Sequence, residues 1–176
     1  MSAGPPRWGW HRLDPDWAAR IVEQAGVRRG DVVLDVGAGT GALTAPLVAA
    51  GARVIAIELH PGRAAALRER FGSAVTVVRA DASDLRLPKR PFHVVANPPF
   101  GVTTALLKRL LHPGSRMARA DLVLDGRVAR RWTQPDAPGA GRWVRDFDAR
   151  LGPTVPRHAF RPPPPVDARI LTITRR

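Results

Sequence analysis

The sequence contains no cysteine, and this absence excludes several kinds of chemistry. The chain forms neither disulfides nor thiolate metal sites, so it tolerates a reducing compartment. Its five histidines do not cluster, and we predict no metal site. Acidic residues are scarce as well, with 15 Asp and Glu against 28 Lys and Arg. These features favour metal-free chemistry on a basic chain.

Long apolar runs are also missing. Nowhere do about 18 apolar residues follow one another, which is the length of a membrane-spanning helix, and the first residues do not resemble a signal peptide. We therefore expect a cytoplasmic protein without membrane contact. A length of 176 residues, 44% of them hydrophobic, suits one globular domain. We predict an N-terminal arm over 1–13 and a single domain over 14–176, in a monomer.

Positive charge is the strongest feature that is present. The formal net charge is +13, and nearly all of the basic excess is arginine. Arginine binds phosphate through two parallel N–H groups and stacks on bases, so nucleic acids are the expected partners. A GC-rich coding sequence would also produce an Ala-, Arg- and Pro-rich composition, and it remains the alternative explanation.

Short apolar runs alternate with helical segments along most of the chain. We predict helices over 14–25, 42–50, 60–71 and 102–111, and strands over 32–36, 53–57, 75–78, 92–96 and 120–124. The alternation predicts an α/β fold, a mostly parallel twisted sheet with helices on both faces and ligands at the carboxyl ends of the strands. Farther along, the sequence predicts a surface loop over 134–141 and a last strand over 168–174, at or near an edge.

A glycine-rich segment follows the first of the buried strands. Gly37, Gly39 and Gly41 lead into a helix, and glycines there let the backbone turn sharply and approach a ligand. The spacing suits a nicotinamide dinucleotide as well as S-adenosylmethionine (SAM), so the segment alone does not separate these cofactors. A purely structural glycine turn is the remaining alternative.

Two carboxylates follow the next two strands. Glu58 stands where a carboxylate accepts hydrogen bonds from a ribose diol, a role that both cofactors require. Asp81 comes after the third strand, beside Ala82, and is placed to accept an amine proton of the cofactor's adenine. The alternative role for Asp81 is a turn or an N-cap, and Asp84 competes with it for either role. We favour Asp81 and Ala82 as cofactor contacts.

Asn97, Pro98, Pro99 and Phe100 close the fourth strand and indicate the reaction. The lone pair of adenine N6 is delocalised into the ring, so this nitrogen is a weak nucleophile. The Asn97 side-chain oxygen and the Pro98 carbonyl can each accept an amino proton and aim the lone pair at the methyl group of SAM, with Asn97 lying against the cofactor. Phe100 offers a ring face for base stacking. An ordinary Asn-Pro turn is the alternative.

This motif resembles the Asn/Asp-Pro-Pro-aromatic motif of amino-group methyltransferases, which act on adenine N6, cytosine N4 or a glutamine amide. Together with segments 35–41 and 160–167, it makes the chain similar to the Erm-type (erythromycin-resistance) rRNA adenine N6-methyltransferases, relatives of the rRNA dimethyladenosine transferases. The resemblance implies a Rossmann-like class I SAM-dependent fold, methylation of a 23S rRNA adenine in the peptidyl-transferase region, and macrolide, lincosamide and streptogramin resistance. It also implies that Phe100 and Phe160 enclose the flipped base.

Two departures from that family limit the comparison. Where the family has Gly-Gln-Asn-Phe-Leu before the first helix, residues 9–13 read Gly-Trp-His-Arg-Leu. By the resemblance, His11 and Leu13 stand where their counterparts touch the methionine end of the cofactor. The family also continues into a helical C-terminal RNA-binding domain, for which we find no separate counterpart, so the chain resembles a short actinobacterial-type form.

RNA binding by the catalytic domain requires a basic surface. The segment 127–145 interleaves arginines with Trp132 and Trp143, a combination that suits phosphate contacts and stacking. The arginines that we predict to bind RNA are Arg127, Arg130, Arg131, Arg142 and Arg145. The alternative is a set of solvated arginines beside tryptophans that cap the core.

The sequence therefore predicts a SAM-dependent adenine N6-methyltransferase that acts on 23S rRNA, either free or in an assembling ribosomal particle. A methyltransferase for protein glutamine or basic peptides is the main alternative, although the positive charge disfavours basic peptides. A DNA adenine methyltransferase would usually need a target-recognition domain. An inactive RNA-binding module would have no need of the complete set of motif residues.

Overall fold

A seven-stranded mixed sheet forms the centre of the molecule. The computed structural model of the chain describes residues 10–176, so only positions 10–13 of the predicted N-terminal arm are included. The strands of this sheet are β2 (Val32–Val36), β3 (Arg53–Ile57), β4 (Val75–Val78), β5 (Phe92–Ala96), β6 (Met117–Asp125), β7 (Phe147–Val155) and β9 (Ala168–Arg175). A separate antiparallel pair joins β1 (Arg12–Leu13) to β8 (Phe160–Arg161).

The order of the strands creates the crevice in which ligands bind in such folds. It runs β4-β3-β2-β5-β6-β9-β7, and the first five strands in that order are mutually parallel. The connections reverse direction beside β2, which pairs with β3 on one side and β5 on the other. Loops leaving β2 and β5 therefore diverge at the carboxyl ends of the strands and open a crevice there. The predicted mostly parallel α/β sheet is confirmed.

The helices begin and end where the sequence provides local signals. They are α1 (Pro15–Ala25), α2 (Thr44–Ala49), α3 (Pro61–Phe71), α4 (Thr103–Leu110), α5 (Gly126–Arg131) and α6 (Ala140–Trp143). The carboxylate of Asp14 caps α1 by accepting the N–H groups of Asp16 and Trp17, and Gly26 ends the helix in a left-handed conformation. Predicted ends of the first four helices lie within two residues of those observed.

Alternate residues of the central strands face two apolar clusters, one on each side of the sheet. Leu34 and Val36 belong to one cluster, together with the α4 residues Leu106 and Leu107. Val33 belongs to the other, which also contains several buried residues of α1 and α2. Both faces of the sheet are thus covered by helices, as a mostly parallel sheet requires.

The sequence-based prediction missed one strand in the last third of the chain. This strand, β7, forms the edge of the sheet beside β9, so the predicted last strand is present and lies next to the edge. The register of β7 shifts between Leu151 and Thr154, where Gly152 and Pro153 interrupt the pairing. A proline is tolerated in an edge strand or at a bulge, and it obscures the alternation that would reveal the strand. The last two residues of the predicted 134–141 loop belong to α6 instead.

Within residues 10–176, no helix combines the length and the apolar character needed to cross a membrane. The same residues contain no group of three or more His, Asp or Glu side chains arranged to hold a metal ion.

Candidate active site

A cavity of about 400 Å³ opens at the carboxyl ends of the parallel strands. The sequence prediction had assigned several of its wall residues to the cofactor or to the reaction, and the structure brings these together although they lie far apart in the chain. Apolar side chains complete the wall. The lining residues are Gly37, Ile57, Glu58, Leu59, Arg63, Ala80, Asp81, Ala82, Pro99, Gly101 and Val102.

Gly37 joins the glycine-rich loop to the Asn97–Phe100 motif. Its φ angle is +75°, and a Cβ atom at this position would lie 2.8 Å from Cδ of Pro99. Its N–H donates to the Ile57 carbonyl at 2.8 Å, which fixes the loop against β3. Only glycine meets both requirements without displacing the motif, because it has no Cβ and adopts positive φ at little cost.

The other two predicted glycines lie behind the cavity wall. Gly39 is buried beneath the side chain of Trp10, and its N–H donates to Oε2 of Glu58 at 2.8 Å. Gly41 packs against α3, where a Cβ atom would lie 2.7 Å from the ring of Phe71. Neither glycine lines the cavity. In this structure Gly39 orients Glu58 and Gly41 permits close packing of the loop and helix, while their contact with a cofactor stays a prediction.

The Glu58 carboxylate is held rigidly at the cavity wall. The residue is 4% exposed, and its Oε1 atom accepts the His60 N–H at 2.9 Å and an Arg63 guanidinium N–H at 3.2 Å. Arg63 also lies over the Trp10 ring, with its guanidinium carbon 5.0 Å from the ring centroid. Each carboxylate oxygen offers two acceptor directions, so Glu58 keeps the capacity to accept a hydroxyl from a ligand in the cavity.

Asp81 caps a short turn at the cavity wall, and its contact with the cofactor's adenine stays a prediction. One carboxylate oxygen accepts the Ser83 N–H at 2.8 Å and the Ser83 hydroxyl at 2.7 Å, which caps a short 3₁₀ turn that begins at Ala82. These two hydrogen bonds hold the pKa of Asp81 below its usual value, so the carboxylate stays ionised and can accept further hydrogen bonds. Asp84 instead pairs with Arg109 and does not line the cavity.

Asp35 is, after Glu58, a second buried carboxylate near the site, and it lies beneath the glycine-rich loop. It is 1% exposed, and one of its oxygens accepts the Thr44 hydroxyl at 2.6 Å. Burial raises the pKa of Asp35 to about 7, the hydrogen bond from Thr44 opposes this shift, and the negative charge of Glu58 adds to it. The protonation of Asp35 therefore changes near neutral pH.

The Asn97 side chain has a fixed orientation. Its Nδ2 atom donates to the main-chain carbonyl of His11 at 2.9 Å. Because a carbonyl only accepts, the amide nitrogen must face His11, and the Oδ1 atom is left to accept a proton from another group. Among the described residues, the Pro99 carbonyl accepts the Val102 N–H, whereas no hydrogen bond uses the carbonyl of Pro98. Two consecutive residues of the motif, Asn97 and Pro98, thus each keep an unused acceptor oxygen.

His11 and Phe100 form the outer wall beside this motif. The His11 Nδ1 atom lies 2.8 Å from the Pro162 carbonyl, and its ring centroid is 5.6 Å from that of Phe100. The ring of Phe100 is half-buried, and its stacking on a base stays a prediction. His11 contacts the reaction motif and borders crevices of about 10 and 20 Å³ rather than the main cavity.

Two predicted site residues belong to the core in this structure. Phe160 is 1% exposed and pairs with Leu13, which is 2% exposed, in the β1–β8 ladder. Both pack in the cluster that contains α1. No ring face of Phe160 is exposed in this arrangement, so its place beside the base with Phe100 stays a prediction that the present packing does not support. Leu13 likewise supports the site from behind and touches only the 20 Å³ crevice.

The segment predicted to bind RNA exposes its arginines and buries its tryptophans. Trp132 and Trp143 are 2% and 6% exposed and pack against each other in the core, so they offer no stacking surface. The five arginines of the segment all lie at the surface. Two of them pair with carboxylates, Arg127 with Asp125 and Arg131 with Asp136.

Trp10 and Arg63 are site residues that the sequence interpretation missed. Trp10 had been noted only as a replacement of the family's glutamine, and Arg63 not at all. The sequence held one weak signal for Arg63: it lies in the first turn of α3, five residues after Glu58. Their contact joins segments that lie far apart in the chain, and no local pattern encodes it.

Known proteins resemble this chain over nearly its whole length. The family described as "Ribosomal RNA adenine dimethylase" matches residues 12–176. An rRNA adenine N-6-methyltransferase of Corynebacterium diphtheriae is 40% identical over 146 residues, which are 81% of this chain and 57% of the relative. The mycinamicin-resistance protein MyrB of Micromonospora griseorubida is 38% identical over 93% of this chain and 53% of its own length. The chain thus spans somewhat more than half the length of these relatives.

Solved structures agree with the sequence matches. The crystal structure of the 23S rRNA methyltransferase ErmE superposes with a TM-score of 0.83 and 30% identity, covering 95% of this chain and 70% of that one. A dimethyladenosine transferase from Plasmodium falciparum gives a TM-score of 0.78 at 25% identity, over 94% of this chain and 64% of its own. These matches confirm the Rossmann-like fold of SAM-dependent methyltransferases, and the chain belongs to the ribosomal RNA adenine dimethylase family.

Proposed function

We propose that this chain transfers a methyl group from SAM to N6 of an adenine in 23S rRNA, in the peptidyl-transferase region, and so confers resistance to macrolides, lincosamides and streptogramins. The observation that carries the proposal is the fixed amide of Asn97, whose oxygen is left free to accept, in a motif that reaches the cofactor-sized cavity through Pro99. The names of the relatives support the choice of adenine in rRNA.

The residues of the 400 Å³ cavity suit the nucleoside part of SAM. Glu58 accepts hydrogen bonds from ribose hydroxyls, and the ionised Asp81 accepts one from the adenine amine. Ile57, Ala80 and Val102 provide apolar walls for the flat base. Glu58 is buried and already oriented by N–H groups, so it binds a diol at a smaller entropic cost than a mobile carboxylate would.

The chemistry that SAM supplies is an electrophilic methyl group on a sulfonium. The protein orients the acceptor nitrogen: the Asn97 oxygen and the Pro98 carbonyl each accept one amino proton, which concentrates the lone pair on N6. Phe100 stacks on the base, a contact worth roughly 1–3 kcal/mol. No basic side chain is required for this step, because the amino proton becomes acidic only after the methyl group has been transferred.

Five exposed arginines follow the end of β6, and they provide the contact with RNA. They are Arg127, Arg130, Arg131, Arg142 and Arg145. Their role in RNA binding is electrostatic, since the neighbouring tryptophans are buried. We propose that the chain acts in the cytoplasm as a monomer, on 23S rRNA that is free or within an assembling ribosomal particle.

The class of acceptor tests this proposal. A cell lysate is incubated with the chain and radiolabelled SAM, then separated into RNA, DNA and protein. We expect the label in large-subunit rRNA, and treatment with ribonuclease should release it. Label that stays in protein would instead support methylation of glutamine or of basic peptides, and would overturn the proposal.

A further inference from the structure

A second large groove lies at the opposite ends of the same strands. Its volume is about 600 Å³, and its wall includes Val32, Arg53 and Thr76, near the amino ends of β2, β3 and β4. The segment 88–90, which precedes β5, forms another part of the wall. We call it the amino-end groove. Five-residue strands separate it from the cavity at the carboxyl ends, a distance of roughly 17 Å.

The amino-end groove carries positive charge without compensation. Arg53, Lys89 and Arg90 line it and are exposed, and no Asp or Glu is among its lining residues. Within residues 10–176, none of the three cations takes part in an ion pair. Asp31 directly precedes the lining residue Val32, but its carboxylate accepts the Arg28 main-chain N–H and makes no ion pair with the three cations.

What sets the groove apart is that its three unpaired cations lie on one concave wall that contains no carboxylate. Exposed arginines such as Arg109, Arg131 and Arg150 each have a carboxylate beside them. Three unpaired cations that face one open groove repel one another, and a bound anion relieves that repulsion. The hydroxyls of Ser73 and Thr76 add neutral hydrogen-bond donors to the same wall.

We propose that the amino-end groove binds the phosphodiester backbone of the RNA substrate at a point remote from the reacting adenine. This inference rests on the proposed function, because it takes the substrate to be RNA. Cations on flexible side chains suit successive phosphates, which contribute affinity without reading sequence. The groove therefore increases affinity for long RNA and leaves the choice of adenine to the site at the carboxyl ends.

The position of the groove predicts a dependence on RNA length. A short hairpin that fills the site beside Asn97 does not reach the other end of the sheet. A longer rRNA fragment can pass around the edge of the sheet and contact both sites. The groove thus contributes to the binding of long RNA only, and this separates it from a contact beside the reacting base.

The test compares two double variants that each remove one lysine and one arginine. The groove variant, Lys89→Ala with Arg90→Ala, removes two positively charged side chains from the groove wall. The control variant, Arg20→Ala with Lys108→Ala, removes two exposed positively charged side chains from α1 and α4. Binding of a long 23S fragment is measured by fluorescence anisotropy over a series of salt concentrations. We expect the groove variant to lose roughly tenfold in affinity and about 1.4–1.8 in the slope of log K against log salt, as two lost phosphate contacts imply.

The control variant should change much less, and both variants should unfold at the same temperature as the unchanged protein. Lys89→Arg should restore most of the affinity that Lys89→Ala alone removes. Equal losses in the two double variants would show a general effect of charge and would overturn the proposal. A matching loss for the short hairpin would overturn it as well. If the unchanged protein methylates no RNA, the proposed function fails, while the binding comparison still decides the role of the groove.

Discussion

The side-chain amide of Asn97 donates to the main-chain carbonyl of His11 across 86 residues of chain, at 2.9 Å. This bond determines which end of the amide faces a substrate. A free asparagine could present either its nitrogen or its oxygen, and only the oxygen accepts an amino proton. The segment 10–13 therefore belongs to the reaction site, although none of its side chains is expected to react.

Replacing Asn97 tests its role as an acceptor. Asn97→Ala should lower the rate of methyl transfer by roughly 10²–10³-fold, the cost of losing one preorganised partner in a transition state. Binding of SAM, measured by calorimetry, should stay near that of the unchanged protein. Asn97→Asp keeps an acceptor but places a carboxylate against the His11 carbonyl, so we expect an intermediate rate. Transfer that is unaffected in Asn97→Ala would contradict the mechanism.

The His11 side chain should matter through the two groups that it contacts. His11→Ala removes the hydrogen bond to the Pro162 carbonyl and the ring beside Phe100. One lost hydrogen bond costs about 1 kcal/mol of unfolding free energy, and we expect kcat to fall as the motif loosens. The matched variant His11→Asn keeps an N–H donor near the position of Nδ1 and should recover part of the stability. Equal behaviour of the two variants, in urea unfolding and in kcat, would argue against this positioning role.

Gly37 and Gly30 provide a matched pair for the contact between the glycine-rich loop and the reaction motif. Their φ angles are +75° and +86°, but a Cβ atom meets Pro99 at position 37 and nothing within 4 Å at position 30. Alanine at either position strains the backbone, typically by about 1 kcal/mol or more. Only Gly37→Ala should also displace Pro99 and reduce methyl transfer strongly. Activity lost equally in both variants would disprove this coupling.

Asp35 should make stability depend on pH in a direction opposite to that of most carboxylates. Its pKa is about 7 in the folded chain and 3.8 ordinarily, so the folded state holds the proton more tightly. The stability linked to this group is therefore complete below about pH 4 and is lost as the pH rises to 7, by an amount on the order of 4 kcal/mol.

The variant Asp35→Asn isolates that contribution. The asparagine oxygen still accepts the Thr44 hydroxyl, but the residue carries no charge at any pH. Unfolding in urea at pH 5 and pH 8 should show the variant gaining stability over the unchanged protein mainly at pH 8. A gain of the same size at both pH values would rule out titration of Asp35 as the cause.

Local patterns in the sequence predicted the central strands and the residues at their carboxyl ends. The Gly37 loop, Glu58, Asp81 and Asn97 each follow a strand, and the parallel arrangement brings them to one end of the sheet. Side-chain direction after residue 125 was not predictable in the same way. Whether Phe160 faces the site or the core depends on its pairing with Leu13 in β1, a contact between distant segments.

The errors at the edge of the sheet have a similar physical origin. In β7, Gly152 and Pro153 break the alternation of apolar and polar residues at a bulge, so the strand does not stand out. Trp132 and Trp143 flank exposed arginines in short helical segments. Their neighbours suggest a surface, but their contact with each other is made inside the core.

The identity of the methylated atom tests the central claim most directly. Purified 23S rRNA is incubated with the chain and SAM, digested to nucleosides and analysed by mass spectrometry, with Asn97→Ala as the matched control. We expect adenosine methylated at N6, mapped to the peptidyl-transferase region, and none in the control. Methylation at a ring nitrogen, at a ribose hydroxyl or to the same extent in Asn97→Ala would contradict it.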